Sequence, residues 1–520
     1  MAILSLRDIL LLCFCVLIHF IYRNRRRAVI PYPPGLRRWP IIGSALSMPL
    51  TYVHVFYKNL GDKLGTKIIY TEAFGQEMIF LNDARIAKEL LEKRSGLYSS
   101  RPEFPMVAEI VDAGIFFGFV PYGDSWRHQR RIFTQYFSLK NQSLVEEKAT
   151  QFVRKCLLSN IYQNPQDLDE HIRDCMGGFS TSLTYGLPTK RHKDPLVLFA
   201  EDVFTRVVAA STPGNFLVNI FPVLKHIPEW MPGAGFKREA RDLRKEVHRF
   251  MVEPFQAAQK SMGGGTRPDC FVAESLERNQ DRKEFELRTE DIQRVALQVY
   301  GAASETTVSA TRAFVLAMLK YPDVQKKAQQ ELDSVLGLDG LPDFSDKPHL
   351  PYFGAVLKEV IRWNPVVPLG LPHYTVADDV YEGHYIPKGC TIWANAYAML
   401  YDESIFPNPT EFSPERFFKN GVVTDDIPNP EELATFGFGR RICPGAHVAL
   451  SMLYIAAASL LAVFDISPAL DEKGDPIEVE AKFVAASLVS SPQRFKCKLT
   501  PRQGKNVGGI LKDYINGEII

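Results

Sequence analysis

The sequence predicts a mainly α-helical body with small β-sheets, carried behind one N-terminal transmembrane helix. Three observations predict it. A segment opening at Thr289 repeats apolar residues at helical spacing: Ile292, Val295, Ala296 and Val299, then Phe314, Val315, Met318 and Leu319. A second apolar helix, AHVALSMLYIAAASLLAVF, opens at Ala446. Between them, Val366 to Leu400 is cut by Gly383, Pro387 and Gly389 into strand-like pieces. The composition, 46% hydrophobic and 23% charged over 520 residues, is that of a globular protein. A net charge of +1 excludes nucleic-acid binding by bulk electrostatics. The eight cysteines form no C-x-x-C pair, so most read as small buried apolar residues.

From the N-terminus, Ile9 to Tyr22 (ILLLCFCVLIHFIY) is apolar but short, and it approaches the roughly 20 residues of a span only by including Arg7 and Asp8. A cleavable signal wants its positive charge before the apolar run and small residues after it. Here RNRRR, Arg23 to Arg27, comes after. The expectation is a retained anchor over 1–22 with the rest of the chain in the cytosol. A basic, proline-rich linker is expected over 23–43, because PYPPGLRRWPIIG favours stiff extended chain. The catalytic body is expected over 44–503 and a tail over 504–520. Ser261 to Asp269 (SMGGGTRPD) reads as a surface loop.

Thr289 is the expected N-cap of the long helix, with Glu290 and Asp291 in its first turn. The middle of that helix, GAASETTVSA from Gly301 to Ala310, is small and polar where a buried helix should be apolar. Phe353 to Trp363 is a further helix, stopped by Asn364 and Pro365, and its Glu359 and Arg362 share one face.

The densest signal is FGFGRRICPG, Phe436 to Gly445. A metal-binding cysteine must be a thiolate. A glycine turn, a helix N-terminus and nearby cations all stabilise that anion, and Cys443 has all three. Zinc would need further ligands, and His447 at i+4 supplies only half a site. An inert buried thiol is the plain alternative. A haem iron needs one protein thiolate and a flat apolar pocket, which fits best.

The pattern Phe436-x-x-Gly439-x-Arg441-x-Cys443-x-Gly445 resembles the haem-binding signature of the cytochrome P-450 superfamily. Glu359-x-x-Arg362, the tetrad Pro414 to Phe417 (PERF), Ala303 to Thr307 (ASETT) and Trp126-x-x-x-Arg130 resemble its other motifs, in the family's order. The stretches Pro105 to Phe133 and Ile227 to Ala240 look most like fungal microsomal members.

The resemblance implies the cytochrome P-450 fold as one large domain, because motifs far apart in sequence must meet one porphyrin. It implies haem b (iron protoporphyrin IX) with Cys443 as axial ligand, Phe436 shielding the sulfur and Gly445 permitting close approach. It implies Trp126, Arg130, His373 and Arg441 as partners of the haem propionates. Without the resemblance, Arg130 would read as a solvated helix charge. Glu305 and Thr306 are implied as an acid–alcohol pair delivering protons; the plain alternative for Thr306 is a bond to the Ala302 carbonyl. Ala303 replaces a glycine frequent in the family. Glu359, Arg362 and Arg416 are implied as a buried ionic network.

Arg127, Arg131 and Arg440 are implied as a basic patch for an acidic reductase. Apolar substrate contacts are implied in Pro105–Phe117, Phe204–Phe221, Ala302–Thr306, Val366–Leu371 and Val484–Leu488. The implied activity is insertion of one oxygen atom from O2 into a lipophilic small molecule. Electrons would come from NADPH through NADPH–cytochrome P-450 reductase, with cytochrome b5 as a further donor, at the endoplasmic reticulum membrane. Fungal terpenoid or polyketide tailoring is the expected setting. Aromatic or xenobiotic hydroxylation, a haem-thiolate isomerase and a non-catalytic haem carrier or sensor are the alternatives.

Overall fold

The computed structural model describes residues 30–112, 116–212, 214–263, 267–280, 288–337, 339–484, 488–517 and 519–520. The anchor expected over 1–22 and the arginines at 23–27 lie outside them.

The molecule is built around a helix from Thr289 to Lys320, 32 residues or about 48 Å long. Its N-cap position falls to Arg288, with no side-chain bond; Thr289 is instead the first helical residue, and Glu290 and Asp291 follow in the first turn. Pro322 opens the next helix, Pro322–Leu336, at a position where its missing N–H is not needed. The central helix packs along two others, Leu168–Tyr185 and Ala446–Val463. The last is buried without a gap from Ser451 to Val463, as expected of a helix apolar on all sides. Among the described residues it alone is long and apolar enough to cross a membrane, but it lies in the protein core.

The β-structure is small. One four-stranded sheet has the order Ile68–Ala73, Gln76–Leu81, Thr391–Ala394, His373–Tyr374. The middle pair, Gln76–Leu81 and Thr391–Ala394, is parallel and the other two are antiparallel. Gly383 and Gly389 take positive φ, as turns require. The end of the strand-like run differs from expectation: Ala396–Leu400 is helical, because the Asn395 side chain accepts from the Ala398 N–H and caps a turn.

The proline-rich residues lie against the sheet, with Gly35 bridged to Tyr70 and Gly43 to Ala73. At the other end, Val507–Ile515 forms a helix, and the Ile520 N–H donates to the Thr189 carbonyl.

The ionic network on helix Pro351–Trp363 is complete. Arg362 donates to both Glu359 oxygens, at 2.7 and 2.8 Å, and Arg416 donates to Glu359 at 3.0 Å. The remaining Arg362 donors reach the carbonyls of Leu400, Pro409 and Glu411, so this one side chain fixes the loop before PERF. Glu359 and Arg362 are fully buried. Glu359→Gln would leave two guanidiniums without their anion, and should cost about 3–5 kcal/mol. A thermal melt of the variant should show a clearly lowered midpoint; an unchanged midpoint refutes this account.

Candidate active site

The loop that carries Cys443 is closed by the Cys443 N–H donating to the Phe436 carbonyl at 2.8 Å. Gly439 has φ +55, and a Cβ there would lie 2.3 Å from the Leu91 carbonyl oxygen. Only glycine fits that crossing. Gly445 is the N-cap of helix Ala446–Val463, so Cys443 sits at the helix's positive end. At Gly445 a Cβ would meet nothing nearer than the Phe133 ring at 3.9 Å, so its protein neighbours do not demand glycine. Its N–H instead points at the sulfur.

Cys443 is surrounded by protein yet retains solvent-accessible surface. Burial pushes its thiol pKa up, while the Gly445 N–H and the Arg130 guanidinium pull it back. His447 Nε2 is buried without a partner, but Cys443 and His447 join no group of three metal donors among the described residues. That removes the zinc alternative: among the described residues the sulfur has no set of further metal donors beside it.

Around the sulfur lies an unusual concentration of buried positive charge. Arg441 donates to the carbonyls of Ser99, Phe117 and Val120 at 2.8, 3.1 and 2.7 Å, and its guanidinium lies 4.6 Å from the Trp126 ring. Burial, with Arg130 adding repulsion, lowers its pKa to about 9. Arg130, on helix Asp124–Tyr136, is likewise lowered by burial, with Cys443 opposing. It is not a solvated helix charge.

Arg101 is a further member that no sequence pattern marked; it is 5% exposed. It donates to the carbonyls of Gly118, Leu371 and Pro372 at 3.0, 2.9 and 2.7 Å. Burial and then Arg441 hold its pKa well below the ordinary value. His373 is buried beside it, with Nδ1 2.9 Å from the Tyr98 carbonyl. Burial and Arg101 keep that ring neutral. None of these arginines has a carboxylate partner among the described residues.

The second wall is the central helix. It is buried from Val295 to Leu297 and from Thr307 to Ser309, but between these Ala302 and Glu305 are exposed and Thr306 is half-buried. These three share one face at i, i+3 and i+4. A helix that opens for a single turn in mid-core faces an internal space. Glu305 makes no hydrogen bond or ion pair among the described residues. Thr306 donates to the Ala302 carbonyl at 2.8 Å, the local bond a helical threonine makes.

Loop residues 116–120 join the two walls, since the Gly118 N–H donates to Gln298 of the helix and the Phe117 carbonyl accepts from Arg441. Apolar segments close in nearby. A Cβ on Gly118 would lie 3.7 Å from Leu371, and one on Gly301 would lie 2.1 Å from the Phe204 ring. Ser309 Oγ donates to the Ser490 carbonyl at 2.5 Å. Residues 113–115 and 485–487, within two of the expected substrate stretches, lie outside the described residues.

A porphyrin with two carboxylates fits this donor set: solitary sulfur for the iron, unpaired buried guanidiniums for the propionates. A model of the family described as Cytochrome P450 matches residues 33–499. The chain belongs to the cytochrome P450 family. A P450 monooxygenase, ple1, from Rhodocybe pseudopiperita is 41% identical over 90% of this chain and 89% of its own. Another, from Armillaria gallica, is 39% identical over 94% and 95%. A tryptamine 4-monooxygenase from Psilocybe cyanescens is 36% identical over 95% and 97%. The chain is thus a P450 monooxygenase, and the family implies a haem-thiolate centre. Arg101→Leu should then lower the haem bound per purified chain, because one cation of the set is lost. A pyridine haemochrome assay measures it; full haem occupancy would show that Arg101 takes no part.

Proposed function

We propose that this P450 inserts one oxygen atom from O2 into a lipophilic small molecule in fungal secondary metabolism, with electrons from NADPH through a flavoprotein reductase. The observation that carries the reading is Cys443: an exposed cysteine two residues from buried Arg441, which bonds the Phe117 carbonyl of the loop that Gly118 ties to the central helix. Cys443 would hold the haem iron through its thiolate, and the bound haem would supply the activation of dioxygen. Arg101, Arg130, Arg441 and Trp126 seat the propionates, with His373 packed behind Arg101. Phe436 holds the cysteine loop through its carbonyl.

Glu305 and Thr306 move protons. Glu305 is exposed and unpaired, so its carboxyl is free to exchange with water. Thr306 uses its hydrogen on Ala302, so its oxygen is free to accept one. Terpenoid or polyketide tailoring suits the apolar segments that close over this turn. The likeness to a tryptamine 4-monooxygenase favours a second reading, hydroxylation of an aromatic compound.

Two surfaces support the expected partners. Tyr122 is flanked by Arg127 and Arg440, whose guanidiniums lie 5.3 and 5.1 Å from its ring. Arg131 follows Arg127 at i+4, so this is a basic face near the cysteine loop, suited to an acidic reductase. A separate apolar surface joins Trp39, Leu46 and Leu50 with Leu217, Val223 and Trp230, all exposed. Phe74 against Phe221 at 5.0 Å, and Gln76 donating to the Asn219 carbonyl, hold its two parts together. It suits a membrane face.

Cys443→Ala should abolish the long-wavelength Soret band of the reduced carbon monoxide complex; a retained band removes the assignment. Thr306→Ala, with intact haem, should slow product formation by about 100-fold while NADPH consumption continues. Mass spectrometry of host metabolites under isotopically labelled dioxygen, with and without reductase, checks the whole reading. Labelled product made only with reductase is expected, and turnover of a hydroperoxide without it would favour an isomerase. Leu46→Glu combined with Trp230→Glu, in a chain without residues 1–29, should reduce sedimentation with lipid vesicles.

A further inference from the structure

We propose that His171, Asp174 and His192 form a second metal site, for a divalent cation of the zinc type, apart from the cysteine loop. One donor atom from each residue lies within 4.8 Å of those of the other two. His171 and Asp174 are at i and i+3 on helix Leu168–Tyr185, hence on one face. His192 comes from the loop before helix Pro195–Ser211. The two imidazole rings are 6.0 Å apart, with their planes at 61°.

His171 carries the argument. It is 3% exposed, and its Nε2 lies 2.7 Å from the Asn164 carbonyl. A carbonyl only accepts, so Nε2 bears the proton and Nδ1 is left with a bare lone pair. Nδ1 is buried and has no partner among the described residues. A buried lone pair without a partner carries a desolvation cost, and here, unlike at His447, two further metal donors lie beside the ring. A ring fixed by donating one nitrogen to a carbonyl, with the other unpaired, is the usual state of a metal-binding histidine.

The other two donors are held in place. Asp174 accepts from the Lys193 N–H at 3.1 Å with one oxygen, and its other oxygen lies 2.8 Å from His192 Nδ1. The far nitrogen of His192 is 3.8 Å from Glu170, a carboxylate placed to orient the ring. Two imidazoles and a carboxylate suit zinc, with water completing a tetrahedron. Calcium and magnesium want oxygen ligands.

The site would act as a staple. The neighbouring Arg191 donates to the carbonyls of Ile515 and Gly517, so a cation held at His192 would also secure the C-terminal tail.

The test uses full-length, haem-loaded protein, stripped with a chelator, dialysed and titrated calorimetrically with Zn2+. One equivalent per haem is expected, together with a higher thermal midpoint. His192→Ala, on the half-exposed loop, and Asp174→Asn should each weaken binding by about tenfold or more and remove the thermal shift. The reduced carbon monoxide spectrum of both variants should be unchanged, which separates loss of this metal from loss of haem. Mg2+ should give no stoichiometric step. The proposal is overturned if the wild type shows no one-to-one step, or if both variants bind Zn2+ as tightly as it does.

Discussion

Buried positive charge without an anion is the constraint on which this structure turns. Arg101 and Arg441 lie together inside the protein and draw six backbone carbonyls toward them, from residues 99–120 and 371–372. Those carbonyls satisfy the hydrogen-bonding geometry but do not neutralise the charge. Removing an ion from water costs several kcal/mol unless a counter-ion is supplied. At Arg362 the same chain provides one, Glu359. Around Arg441 none is provided among the described residues. On the reading proposed above, haem propionates would supply that counter-charge, and folding would be linked to cofactor capture.

The central helix serves both halves of this arrangement. Its apolar ends pack into the core, and its open turn presents Ala302, Glu305 and Thr306 to the interior. Such a turn would be costly in a solid core, because Glu305 would be a buried charge. It is tolerable where the helix borders a space. The amide of Gly118 on Gln298 then links this turn to the loop that Arg441 holds, so a shift on either side reaches the other through two hydrogen bonds.

What was legible in the sequence was local and dense. The cysteine loop was legible because a crossing that admits only Gly439, a helix start and a cation must fall within ten residues to act on one sulfur. The Glu359–Arg362 pair was legible because one helical turn brings i and i+3 together. Arg101 was not, since a lone arginine between serines and a proline reads as a solvated loop charge; only the fold puts it under Gly118. The helix Ala396–Leu400 was hidden by aromatic and apolar residues that suit a strand equally well, until Asn395 capped the turn. The docking of the proline-rich residues was hidden because Gly35 meets Tyr70 only across the tertiary structure. His171 and His192 stood in different elements, with nothing in their spacing to join them.

The contact between Gly301 and Phe204 leaves no room for a side chain at that point of the central helix. The Phe204 ring is wedged among Phe116, Phe250 and Tyr300, so it has little room to yield. The approach of the central helix to this ring is thus set by a carbon atom that is missing. One methyl at that position would force the ring or the helix backbone to move, so the packing of the central helix against this aromatic cluster hinges on a single hydrogen atom.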